Sequence, residues 1–190
     1  MYICLEGIDT AGKSTQILRL KEHFNDAIIT KEPGGSEAGA KIREIVLNSK
    51  LESKKAEFLL FLADRAEHTQ KVILPNKNKL IISDRGVVSG VAYALINKEF
   101  DEKTIVDYNI FATSHTLPQK VFLLKLSKDE LSKRLSAKEL DTIELRGIEY
   151  LLDIQSAMIR ACELLNIELV SIDASLDIKS ITEKIISEIE

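Results

Sequence analysis

The stretch YICLEGIDTAGKSTQILRLKEHF, residues 2–24, changes character twice. An apolar run ends at Glu6, the octet GIDTAGKS follows over residues 7–14, and a helical spacing of apolar residues begins at Lys13. Strand, glycine-bearing loop and helix in that order is the context a phosphate-binding loop requires, and the octet has the complete spacing GxxxxGKS. Gly7 and Gly12 let the backbone curl until successive amide N–H groups face inward. Lys13 then reaches the terminal phosphates of a nucleoside triphosphate, and the Ser14 hydroxyl can ligate magnesium. The helix N-terminus adds a partial positive charge. The triphosphate is therefore assigned to the loop formed by Gly7, Ile8, Asp9, Thr10, Ala11, Gly12, Lys13, Ser14 and Thr15.

Asp9 does not suit an anion-binding loop. At about 6 Å and an effective dielectric near 20, a carboxylate repels each phosphate charge by roughly 2 to 3 kcal/mol. A carboxylate is also a strong acceptor for a sugar hydroxyl, which points Asp9 toward a second substrate's ribose. The plain alternative is an exposed loop residue.

Working outward, short apolar runs alternate with helical patterns. The runs are YICLE (2–6), AIIT (27–30), KLIIS (79–83), KVFLLKL (120–126) and IELVSI (167–172). The helical patterns include one broad stretch from about Ser89 to Ser114 and a closing IKSITEKIISEI. Strands apolar on both faces and separated by helices read as a parallel sheet covered on both sides. The expected fold is α/β, a doubly wound five-stranded parallel sheet in a single domain, residues 1–190, whose ligands gather at the carboxyl ends of the strands. At those ends, DRG follows KLIIS. There Asp84 can hold magnesium-bound water and Arg85 can clamp a phosphate with both arms of its fork, with a surface ion pair as the plain alternative. KEPGGSEAG follows AIIT, a rigid turn at Pro33 suited to close approach of a ligand.

Composition narrows the partners. The chain has 190 residues, 45% of them apolar, enough for one well-buried domain. With 26 basic and 30 acidic residues interspersed and a net charge of -4, it lacks the basic stripe of a nucleic-acid binder. No basic leader precedes YICLE and no apolar run approaches about 18 residues, so a cytoplasmic protein without membrane association is expected. Cys4 and Cys162 lack any CxxC spacing and read as buried reduced thiols, and His23, His68 and His115 as surface or capping residues.

The combination of GIDTAGKST (7–15), TKEPGGSEAGAKIRE (30–44), LLFLADRAEH (59–68), ISDRGVVSGVAYA (82–94) and ELDTIE (139–144), in this order, resembles the thymidylate kinase family, most closely its bacterial members. The resemblance runs over nearly the whole chain. It implies transfer of the γ-phosphoryl group of ATP to dTMP, giving ADP and dTDP for dTTP synthesis, with Mg2+ required, and a homodimer. It implies that Asp9 binds the sugar 3'-hydroxyl, that Phe61 stacks on thymine, that Arg65 reaches the base and that Arg85 holds the dTMP phosphate. Ser89, Gly90 and Tyr93 would line base and sugar, and Pro33 would follow a cis peptide bond. Read from local pattern alone, Phe61 and Tyr93 would be packing residues and Arg65 a solvated helix charge.

The acceptor is a phosphate monoester with a second pKa near 6, mostly dianionic at neutral pH, so no general base is needed. Lys13, magnesium and Arg85 supply part of the charge that transfer requires. In this family a further cation comes from an arginine in the phosphate loop or from a lid. Thr10 stands where the first type carries arginine, which assigns the charge to a lid at about residues 133–142, to Arg134 and Lys138. Lys31, Gly86, Ala94 and Thr142 depart from the family pattern, which more often has arginine, tyrosine, glutamine and a basic residue there. Another nucleoside monophosphate kinase is the main alternative. A GTPase reading of NKNK (76–79) and a non-catalytic ATP-binding module are weaker ones.

Overall fold

The computed structural model describes residues 1–49, 51–136 and 144–190. Five strands, β1 (Tyr2–Glu6), β2 (Ile28–Lys31), β3 (Ile81–Asp84), β4 (Lys120–Lys125) and β5 (Glu168–Asp173), form one parallel sheet in the order β2-β3-β1-β4-β5. Around it lie α1 (Lys13–His23), α2 (Glu37–Asn48), α3 (Lys54–His68), α4 (Val87–Asn97), α5 (Glu102–Ala112), α6 (Lys128–Leu135), α7 (Ile148–Leu165) and α8 (Ile178–Ser187). The α/β expectation and its five strands are met.

The three central strands carry the core. Ile3, Cys4 and Leu5 of β1, Ile81 and Ile82 of β3 and Val121 to Leu124 of β4 have no exposed surface. The expectation that every strand is apolar on both faces fails at β2 and β5, whose residues are mostly half-buried or exposed. Both are edge strands, with a neighbour on one side only. The single helical stretch expected from about Ser89 to Ser114 is two helices. Lys98 turns into the left-handed region at φ 54 and ends α4, and the Asp101 carboxylate accepts from the Thr104 amide at 2.8 Å to start α5. Both cysteines are buried and free.

Register brings the functional strand ends together. Leu5 and Lys31 both pair with Asp84, so the tips of β1, β2 and β3 stand level. The ladder runs one step further, with the Arg85 amide donating to the Leu5 carbonyl (2.9 Å) and the Glu32 amide to the Asp84 carbonyl (3.1 Å). Helix starts differ in how they are capped. Ser36, Ser53, Asp101, Ser127 and Asp177 cap α2, α3, α5, α6 and α8 with their own side chains. The start of α1, at the phosphate loop, has no side-chain cap, so its amide groups remain for an anion.

Candidate active site

The loop between β1 and α1 closes on its own lysine. Lys13 Nζ donates to the carbonyls of Gly7 (2.9 Å) and Ile8 (3.0 Å), and the side chain is buried. Burial, helped by the positive charge of Arg85, pulls its pKa down to about 8. Thr10 holds a left-handed φ of 68, unusual for a β-branched residue, and its buried hydroxyl has no hydrogen-bond partner among the described residues. Ser14 is exposed.

A cleft of about 370 Å³ opens at the three strand tips, lined by Asp9, Thr10, Gly12, Lys13, Ser14 and Thr15, by Lys31, Glu32 and Arg43, and by Asp84 and Arg85. The phosphate loop, the EPGG turn and the DR strand end thus share one space. Arg85, at φ 64, donates through Nη1 to the Gly7 carbonyl (2.9 Å) and Ser89 Oγ (3.2 Å), and through Nη2 to Asp9 Oδ1 (2.5 Å). Asp9 is therefore ion-paired with Arg85, a pair not expected from sequence. Behind it, fully buried Glu6 accepts from the amides of Gly86 (2.9 Å) and Ser89 (3.1 Å) and from Ser89 Oγ (2.5 Å), capping α4 from β1. Among the described residues Asp84 Oδ1 is buried without a hydrogen-bond partner, a carboxylate oxygen left for a cation or its water in the cleft that Ser14 also lines. An oxygen-ligated Mg2+ fits this donor set.

Arg134 lies on the other flank of the loop. Its fork donates to the carbonyls of Thr10 (2.9 Å) and Ala174 (2.7 Å), while Nε meets Glu130 Oε1 (2.7 Å). It lines a second cleft of about 250 Å³ with Ala11, Gly12, Thr15, Gln16 and the apolar Ala174, Leu176, Ile178 and Ile181. Arg134 is thus brought to the loop but not into the first cleft. Lys138 and Thr142, the other lid positions read from sequence, lie outside the described residues.

The remaining substrate-side candidates, Pro33, Phe61, Arg65, Ser89, Gly90 and Tyr93, do not line the first cleft. Phe61 and Arg65 stand one turn apart on α3, as do Ser89 and Tyr93 on α4. Phe61 is half-buried and stands outside the core cluster, whereas Phe58 is the core aromatic, stacked on Phe100 at 4.9 Å. Phe61 thus lies outside the apolar cluster that Phe58 joins. With Phe61 stacked on the acceptor base, as the resemblance implies, Phe61→Ala should cost about 1 to 3 kcal/mol of acceptor binding with little loss of melting temperature, checked by calorimetry and thermal denaturation. Burial pushes the Tyr93 phenol up to about 12 despite the opposing charge of Arg85. Arg65 is buried on Glu32, Asn109 and Gly86 rather than solvated. His68, expected at the surface or in a cap, has no exposed surface: its Nδ1 meets Glu32 and its Nε2 meets Thr30. The peptide bond before Pro33 is cis. Reading the sequence did not single out Glu6, Arg43, Asn109, Leu176 or Ile178. For Arg43 a signal existed, because it follows Ser36 by two helical turns on the same face of α2 and its long side chain points back along the helix toward the EPGG turn, where Nη1 donates to the Pro33 carbonyl at 2.9 Å.

The family model described as thymidylate kinase matches residues 5–185 of this chain. The chain belongs to the thymidylate kinase family. It is 69% identical to thymidylate kinase of Sulfurimonas denitrificans, over 100% of this chain and 99% of that one. It is 51% identical to that of Aliarcobacter butzleri, over 97% and 96% of the two chains. A crystal structure of thymidylate kinase from Ehrlichia chaffeensis shares the fold, with a TM-score of 0.79 at 22% identity over 100% of this chain and 98% of that one. Within the thymidylate kinase family, the glycine that replaces a common tyrosine after DR has a local cause here. A Cβ at Gly86 would stand 2.8 Å from Cys4 Sγ and 3.4 Å from the Tyr2 hydroxyl, so β1 already fills that space.

Proposed function

We propose that this protein transfers the γ-phosphoryl group of ATP to dTMP, giving ADP and dTDP for dTTP synthesis. The observation that carries this reading is the single cleft in which the phosphate loop meets Asp84, Arg85 and Asp9. The loop amides, Lys13 and the uncapped start of α1 hold the donor phosphates. The second cleft, apolar on its Leu176, Ile178 and Ile181 side, takes the adenine, with Arg134 beside it. Arg85, with Arg43 across the cleft, binds the acceptor phosphate and aligns its oxygen with the γ-phosphorus. The dianionic acceptor attacks without a general base, and the bond to the β-phosphate oxygen breaks as the new one forms. Ser14 and Asp84 would hold Mg2+, directly or through water, and the ion when bound neutralises charge on the phosphates. Lys138, in the lid segment at about residues 133–142, supplies the further cation, and Arg134 fastens the lid helix to the loop through the Thr10 carbonyl.

Phe61 stacks on thymine, Arg65 reaches the base, and Ser89, Gly90, Pro33 and Tyr93 wall the sugar side. Asp9 exchanges its ion pair with Arg85 for the sugar hydroxyl when dTMP enters. Asp9→Asn should accordingly raise the Michaelis constant for dTMP about tenfold and leave that for ATP within about threefold, since a hydrogen bond to a charged group is replaced by a neutral one. A selective rise for ATP would move Asp9 to the donor side.

A second copy of the chain covers the exposed apolar side chains Leu59 of α3 and Tyr108 and Phe111 of α5, giving a homodimer. No described helix is long and apolar enough to cross a membrane, in keeping with a cytoplasmic enzyme. A coupled assay with ATP, Mg2+ and a panel of nucleoside monophosphates tests the whole reading. Preference for dTMP supports it, and preference for another monophosphate identifies a different kinase of this class.

A further inference from the structure

Arg65 is held on three sides by groups that are themselves held. Its Nε donates to Glu32 Oε2 (3.0 Å), Nη1 to Asn109 Oδ1 (2.6 Å) and Nη2 to the Gly86 carbonyl (3.4 Å). His68 fixes Glu32 at 2.8 Å and is itself fixed by Thr30 at 2.7 Å. Although burial alone would push the Glu32 carboxyl up, Arg65 and His68 bring it below its ordinary value. Asn109 has no exposed surface, and its Nδ2 donates to the Ile105 carbonyl at 2.7 Å. That bond fixes the amide, so only its oxygen faces Arg65. The three bonds leave one N–H on each terminal nitrogen of Arg65 without an acceptor among the described residues. Gly90 packs directly against the fork. A Cβ at position 90 would stand 2.5 Å from Nη2 and 2.9 Å from Nη1, and Gly90 has none.

We propose that Asn109 is a positioning residue for base selection: it stops the Arg65 fork from pivoting about its bond to Glu32 and keeps both unfilled N–H groups turned to the acceptor base. This rests on the dTMP reading above and deepens it. Two fixed donors demand an acceptor atom, which a thymine or uracil carbonyl offers and the cytosine amino group does not. Without Asn109 the fork turns, and the carbonyl base loses its advantage. Among the described residues no hydrogen bond joins Asn109 to the phosphate loop or to Arg85, so donor binding and chemistry stay as they are.

The test is steady-state kinetics of the full chain with ATP and with dTMP or dCMP as acceptor. Asn109→Ala should raise the Michaelis constant for dTMP by about tenfold or more, with turnover and the ATP constant within about threefold. The kcat/KM ratio of dTMP over dCMP should fall about tenfold, and Asn109→Asp, which keeps the acceptor oxygen, should restore it. A purely structural role would lower melting temperature and disturb both substrates while leaving that ratio unchanged. Should the alanine variant fail to fold, Asn109→Ser retains a shorter acceptor and should give an intermediate ratio. A folded variant with the wild-type dTMP constant and ratio overturns the inference alone. A wild-type protein that does not phosphorylate dTMP in the same assay overturns the functional reading, and this inference with it.

Discussion

Lys13→Met is expected to lower kcat/KM by about a thousandfold or more while the protein still folds, because a preorganised cation at the transferred phosphoryl group is removed and the apolar stem is kept. The fold gives up little. The unfolded chain keeps the lysine proton up to about 10.5 and the folded chain only to about 8, so between these values the unfolded state binds more protons. Stability therefore rises with pH across that window, and below about 8 the full cost of a buried charge is present. Methionine removes that cost, and it also takes one donor from the Gly7 carbonyl, which keeps Arg85, and one from the Ile8 carbonyl, which keeps the Ala11 amide. The two effects oppose each other, and thermal melting at pH 7 should differ from wild type by only a few degrees. ATP reverses the shift by placing phosphate charge beside the ammonium group. At pH 8, binding should then take up about half a proton per nucleotide, read by calorimetry in buffers of different ionisation enthalpy, and Lys13→Met should take up none of it. Wild-type turnover in the folded variant would remove Lys13 from the site.

How much of this was legible differs between elements. The phosphate loop was fully legible because strand, turn and helix signals are local, within residues 2–24. The DR and EPGG strand ends were legible because a parallel sheet aligns the carboxyl ends of its strands. The break between α4 and α5 was missed although Asp101 and Thr104 spell a helix cap, since the apolar spacing on both sides fits one continuous helix. The network around Arg65 was not legible from pattern at all. Glu32, Arg65, His68 and Asn109 come from a strand end and two helices, joined across separations of 33, 36 and 44 residues, and each alone reads as an ordinary surface polar residue. The Asp9–Arg85 pair was hidden for the same reason, lying 76 residues apart. Charge reasoning found that Asp9 needed an offsetting contact and looked for it in the substrate. The fold supplies one before any substrate arrives.

Arg85→Ala is expected to lower kcat/KM for dTMP about a thousandfold with the ATP constant within a few-fold, since this guanidinium joins the phosphate loop, Asp9 and the first turn of α4 at the point where the acceptor phosphate must sit. Arg85→Lys should recover at most about tenfold of that loss, because a point charge cannot hold the Gly7 carbonyl and Ser89 and still meet a phosphate with two parallel bonds. The backbone makes a separate demand. At φ 64 Arg85 holds a left-handed conformation that costs a side chain roughly 1 to 2 kcal/mol, so Arg85→Gly should melt higher than Arg85→Ala while being equally inactive. Stability and activity then part company at one position, which a general loss of structure could not produce. The measurements are steady-state kinetics at saturating ATP and thermal melts of the glycine, alanine and lysine variants side by side. If Arg85→Ala binds dTMP within a few-fold of wild type, the acceptor phosphate rests instead on Arg43, across the same cleft.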